Sequence, residues 1–289
     1  MRMVRRRRRR ISDQQMTKTF ALALGGGGAR GLAHILVVEA LEEMGVQPVA
    51  IAGTSFGAVV GAAYAAGMTG REMRRHVLAH VHDRPALLRG ALAARATRLS
   101  DLWSGGLGHA TLLDAEKLCA RFMPAAIPDD FARLNIPLTV VASDLYARRD
   151  RLFTQGPLYP ALAASIAIPG LIRPIGMEGR VLVDGNATNP VPFDLLRQRA
   201  DVVVAVDVSG APSDEAREVP GAWESFYATM LAMAYAITAE KLRAAPPDLV
   251  IRPNVAGVRT MDFFRASSIL RTVEPVKQEL KDRLGALLA

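Results

Sequence analysis

Phe20-Ala-Leu-Ala-Leu24, a run without a polar side chain, passes directly into Gly25-Gly-Gly-Gly-Ala-Arg-Gly31. The run reads as a buried strand (Thr19 to Leu24), and Leu32 to Met44, closed by Gly45, as the helix that leaves the glycines. Glycines between a strand and a helix bring bare backbone amides close to a negative charge. That charge is either a bound pyrophosphate or an oxyanion that exists only during a reaction.

Gly26, Gly28 and Gly31 satisfy G-x-G-x-x-G, as a dinucleotide site would. That reading also needs an acid about 20 residues further on to hold a ribose. No Asp or Glu occurs between Glu43 and Glu72. The second strand, Val49 to Ala52, instead runs into Gly53-Thr-Ser-Phe-Gly57, followed by a small-residue helix from Phe56 to Ala66. G-x-S-x-G between a strand and a helix is the pattern of a nucleophile elbow, so sharp that the residues two before and two after the serine must be tiny. Such a turn projects Ser55 Oγ from the strand end. The amide of Phe56 and those of the glycine loop, one strand away in a parallel sheet, can then stabilise an oxyanion. The oxyanion is the preferred guest.

Further strands are expected at Leu138 to Ala142, Val181 to Val183, Val202 to Val208 and Leu249 to Ile251. Helices are expected at Arg71 to His82, Ala115 to Phe122, Pro157 to Ala167, Phe193 to Arg199, Ser225 to Arg243 and near the C-terminus. Continuous apolar strands separated by helices imply an α/β fold with a mostly parallel sheet covered on both faces. Residues 84–113 read as a helical cap and a mobile loop, or as a plain surface excursion. The helix containing Met230 and Met233 offers either the wall of an apolar groove or ordinary core.

The net charge is +8, but it falls to +1 without the seven arginines among the first ten residues. Residues 1–18 are therefore expected to be a disordered leader, either without a role or touching anionic lipid at a membrane surface. No specific nucleic-acid partner is expected. A lone cysteine, Cys119, forms no internal disulfide, and no apolar run is long enough for a bilayer, so a cytoplasmic protein is expected.

A serine nucleophile needs a base. The five histidines are His34, His76, His80, His82 and His109, so none follows the serine late in the chain, as a Ser…Asp…His order requires. His34 reads as a packing or helix-start residue, and His76, His80 and His82 as an exposed helix face rather than a metal site. Asp184, ending the strand Val181-Leu-Val and followed by Gly185 and Asn186, is the remaining candidate. Its residues alone leave two readings, a general base or a β-turn aspartate.

The ordered set GGGGARG, GTSFG and LVDGN resembles the patatin-like phospholipases, most closely the compact bacterial ones. The resemblance extends to ALAASIAIPGLIRPI from Ala161 and NPVPFDLLRQRADVVVAVDVS from Asn189. It implies a three-layer α/β/α fold with a catalytic core over 19–209 and a helical extension over 210–289 completing the same domain. It also implies a hydrolase of phospholipid, lysophospholipid or related lipid esters needing no cofactor or metal. Carried over by position, Ser55 is the nucleophile, Asp184 the proton acceptor, and Gly26, Gly27, Gly28, Ala29 and Arg30 the oxyanion loop. Arg30 either adds positive charge or braces that loop. Asn186 stands where the family usually has Gly or Ala. The alternatives to an active hydrolase are an idle protein that keeps the fold as a regulator and, from the glycines alone, a dinucleotide binder.

Overall fold

The computed structural model describes residues 18–82, 113–210, 219 and 221–289. The Arg-rich leader and nearly all of the expected cap and loop over 84–113 lie outside the described residues. Strand β1 (Phe20–Leu24) lies at the centre of an eight-stranded sheet, between β2 (Ala50–Thr54) and β7 (Val202–Val206), and is parallel to both. Strand β3 (Leu138–Asp144) extends the parallel set beyond β2, and β8 (Leu249–Ile251) extends it beyond β7. Three further strands pair antiparallel: β4 (Arg149–Phe153) and β6 (Arg180–Asp184) with β3, and β5 (Ile175–Met177) with β6. The fold is α/β with a mixed, mostly parallel sheet.

The central strands are buried on both faces, yet their two sides differ in size. Phe20, Leu22, Leu24, Ile51, Val204 and Val206 face the larger core. Against them pack α1 (Ala33–Met44), α2 (Phe56–Ala65), α5 (Leu158–Ser165), α7 (Ala266–Val273) and α8 (Val276–Leu288). The opposite face carries Ala21, Ala23, Ala50, Ala52 and Ala205. Alanines leave little depth there, and a single turn with Phe193 and Leu196, backed by Leu242 of α6 (Ala222–Ala244), closes it. Helices α3 (Gly70–His82) and α4 (Ala115–Phe122) complete the described set.

Several expectations need correction. The helix expected at 193–199 is a short 3-10 turn, Phe193–Leu196. Two prolines precede it, and burying Phe193 with Leu196 needs only three-residue spacing. Strands β4 and β5 have no counterpart among the expected elements, because RDRLF and IGM are only half-buried and carry no continuous apolar run. Met233 is 62% exposed, so it is not core. His76 and His80 are half-buried, not openly exposed: His76 Nε2 meets the Phe122 carbonyl and His80 Nδ1 the His76 carbonyl, both at 2.8 Å.

The pairing of β3 positions the site. Strand β4 occupies one edge of β3 from Val140 to Asp144. The other edge is shared: β2 lies on it through Thr54, opposite Val141, and β6 lies on it from Leu182 to Asp184, with Asp184 opposite Ala142. Strands β2 and β6 run toward each other and end at consecutive positions of β3. Their turns are crowded by backbone. A Cβ on Gly57 would sit 2.3 Å from the Leu24 carbonyl oxygen, and one on Gly185 would sit 2.4 Å from that of Val141.

Gly45, by contrast, caps α1 at φ 70° with open space around it. Gly57→Ala is therefore expected to cost at least ~3 kcal/mol in urea unfolding, against ~1 kcal/mol for Gly45→Ala. Similar losses from both would show that the elbow has room to relax.

Candidate active site

Ser55 occupies the turn from β2 into α2 with φ 53° and ψ −128°. Positive φ in a non-glycine residue costs of order 1–3 kcal/mol and persists only where the surroundings enforce it. Here the Ser55 amide donates to Ser165 Oγ at 2.8 Å, and that hydroxyl donates onward to the Val141 carbonyl at 2.6 Å. Nothing in the sequence singles out Ser165. Its position near the end of α5, facing the elbow, is a tertiary fact.

Ser55 Oγ donates to Asp184 Oδ2 at 2.6 Å, and both residues are only 2% exposed. The second carboxylate oxygen accepts the Asn186 amide at 2.8 Å. The backbone of Asp184 is held on both sides: its amide donates to the Ala167 carbonyl, and its carbonyl accepts Ser143 Oγ. Burial pushes its pKa up to about 6, against the lowering effect of the bonds from Ser55 and Asn186. Among the described residues no histidine joins this pair.

The glycine loop divides into amides that are committed and amides that are not. Gly26 donates to Pro190, Ala29 to Thr260 and Arg30 to Gly27. Among the described residues the amides of Gly27, Gly28 and Phe56 have no such backbone partner. The six candidate oxyanion donors thus narrow to three. Gly28 has φ +56°, and a Cβ there would meet the Thr260 carbonyl oxygen at 2.3 Å. The remaining motif glycines are spacers. Gly53 backs onto Ala58, Gly31 lies against the Phe56 ring, and Gly26 faces the Asn186 side chain, each too closely for a Cβ.

Arg30 braces the loop: Nε donates to the Val258 carbonyl at 2.8 Å and Nη1 to that of Ser209 at 2.5 Å. His34 is fully buried, and its Nε2 meets the Gly25 carbonyl at 2.8 Å. Burial lowers its pKa to about 4, so it is neutral and Nε2 carries the proton. It anchors the first glycine rather than the serine.

The Patatin-like phospholipase family model matches residues 22–197. An uncharacterised NTE family protein of Mycobacterium tuberculosis is 40% identical over 68% of this chain and 51% of its own length. Lysophospholipase NTE1 of Coccidioides immitis is 26% identical over 95% of this chain and 18% of its own. Patatin-like phospholipase domain-containing protein 6 of the mouse is 31% identical over 66% of this chain and 13% of its own. The chain spans about half the length of the mycobacterial relatives it matches and far less of the others.

A buried carboxylate whose acidity is weakened strains the fold whenever it is charged. The folded protein holds this proton more tightly than the unfolded chain, so the ionised form costs stability above pH 6 and the cost fades as pH falls toward 4. Asp184→Asn keeps the shape and removes the charge. Its melting temperature is expected to exceed the parent's at pH 8, by up to ~3 kcal/mol in stability, and to match it near pH 4. A variant less stable than the parent at pH 8 would show that the carboxylate is fully compensated.

Proposed function

The chain belongs to the patatin-like phospholipase family, and on that premise we propose that it is a serine acyl hydrolase acting on lipid esters through Ser55 and Asp184. The observation that carries this reading is the 2.6 Å bond between Ser55 Oγ and a carboxylate that burial has made more basic. Asp184 is ionised at neutral pH and can accept the serine proton as Ser55 attacks the ester carbonyl. Negative charge then develops on the carbonyl oxygen. The free amides of Gly27, Gly28 and Phe56 are donors for it, and losing one such donor costs about 3 kcal/mol of barrier. Protonated Asp184 returns the proton to the leaving alcohol, and a water activated by the same carboxylate releases the fatty acid from the acyl-serine.

The names of the fungal relatives support a lysophospholipid, with one remaining acyl ester, as a substrate to test first. Lys and His bases, and metal-activated water, are not needed by this scheme.

Ser55 is expected to be labelled by a fluorophosphonate, and Ser55→Ala to lose both labelling and ester hydrolysis. Asp184→Asn should lower turnover by roughly 10²–10⁴, and the double variant should be no worse, because the two residues act as one unit. Near-normal hydrolysis by Asp184→Asn would remove it as the base.

The rate should also follow the titration of Asp184. Turnover of a neutral ester is expected to be flat at alkaline pH and to fall below about pH 6 as the carboxylate gains its proton. An acid limb centred near pH 4 instead would mean that Asp184 is not the desolvated base proposed.

A further inference from the structure

Strands β1, β2, β3, β7 and β8 are parallel, so the segments that leave their C-terminal ends emerge at one edge of the sheet, the edge that carries Ser55. Exposed large apolar side chains gather on those segments. Leu145 and Tyr146 form the turn after β3, with Tyr146 78% exposed. Met261 and Phe264 lie beyond β8, with Phe264 56% exposed. Helix α6 starts from the same edge after β7, and Met233 stands out from it on a stripe with Thr229, Ala232 and Ala236. No charged residue occurs between Phe226 and Thr238 of that helix.

Exposed aromatic and aliphatic groups thus stand on three separate segments that leave the edge carrying Ser55. Beside the Leu145–Tyr146 turn stand Arg148 and Arg149, exposed, and neither guanidinium has a hydrogen-bond or ion-pair partner among the described residues. A phospholipid bilayer with anionic head groups meets both features: rings and methyl groups enter the interfacial layer and the arginines remain at phosphate depth.

We propose that this rim is the surface with which the protein docks on an anionic lipid bilayer, with Tyr146 and Phe264 as interfacial anchors and Arg148 and Arg149 as head-group contacts. The proposal rests on the lipid-ester reading of Ser55, since it presents that serine to the membrane that holds the substrate. Docking and chemistry are nevertheless separable, because none of these four side chains lies in the hydrogen-bonded site.

The test uses the full chain with Ser55→Ala as background, sedimented with phosphatidylcholine vesicles with and without phosphatidylglycerol. Tyr146→Ser and Phe264→Ser should each weaken binding to both vesicles by about tenfold, the size expected for losing one buried aromatic side chain. Arg148→Glu with Arg149→Glu should weaken binding only where phosphatidylglycerol is present. On the active background, the two serine variants should hydrolyse vesicle lipid more slowly yet keep parental rates on a soluble short-chain ester.

Unchanged vesicle binding by the Tyr146→Ser, Phe264→Ser pair would overturn the docking surface. So would a parent dimer that this pair splits while vesicle binding persists, which would assign the face to a second copy. A parent without any esterase activity overturns the proposed function instead, and the binding measurements on Ser55→Ala still decide the docking surface.

Discussion

The structure turns on two strands that meet head-on along one edge of β3. Strand β2 arrives at Val141 and β6 at Ala142 from opposite directions, so Thr54 and Asp184 become neighbours without being near in sequence. Neither strand can continue, and each must leave the sheet at once. Gly57 and Gly185 make the exits possible, since each has a carbonyl oxygen where a Cβ would stand. A strand pair side by side would have placed the two side chains about 5 Å apart across a ladder. The collision brings serine and carboxylate within 2.6 Å and fixes their direction as well.

Such an arrangement is expensive, and the surrounding bonds show where the cost is met. Ser55 has a strained backbone, and Asp184 is a carboxylate almost without water. Buried polar groups are tolerated where hydrogen bonds replace the lost water. Ser165 holds the serine amide, Asn186 and Ser55 itself hold the carboxylate oxygens, and Ser143 and Ala167 hold the aspartate backbone. No cation is among these partners. A guanidinium or ammonium would pair the charge more fully and leave a weaker base. The bonds offset only part of the burial, so the carboxyl pKa stays raised, at about 6.

The features legible in the sequence are those written in local pattern. Apolar runs at 20–24 and 202–206 and glycine spacing around Ser55 need only their neighbours to be interpreted, and these elements stand where they are expected. Asp184 is different. Its residues allow a turn or a base, and only the ordered family motifs favour the base. The head-on meeting cannot be seen at all, because β6 joins an edge of β3 already used by β2, and pairing is a long-range property. RDRLF escapes for a related reason: β4 is held only by its pairing with β3, and three successive charged residues before Leu152 and Phe153 leave no apolar run to mark a strand. Ser165 escapes because a buried serine near a helix end looks like any other.

The division of the glycine amides carries the last step. Ala29 is turned inward by the Thr260 carbonyl, Arg30 is bound to Val258 and Ser209, and a side chain on Gly27 would strike Val208. All of these partners lie beyond the stretch that the family model matches, which ends at residue 197. Ser55 and Asp184 belong to the matched stretch, whereas Ala29 and the Arg30 side chain of the glycine loop are held by the C-terminal part of the chain. Strand β8 gives that region its purchase: it extends the sheet from β7 and returns the chain to the rim where Thr260 meets the loop. A loop of four glycines has little preference of its own. The Thr260 carbonyl takes the Ala29 amide, and the amides of Gly27 and Gly28 keep no backbone partner among the described residues.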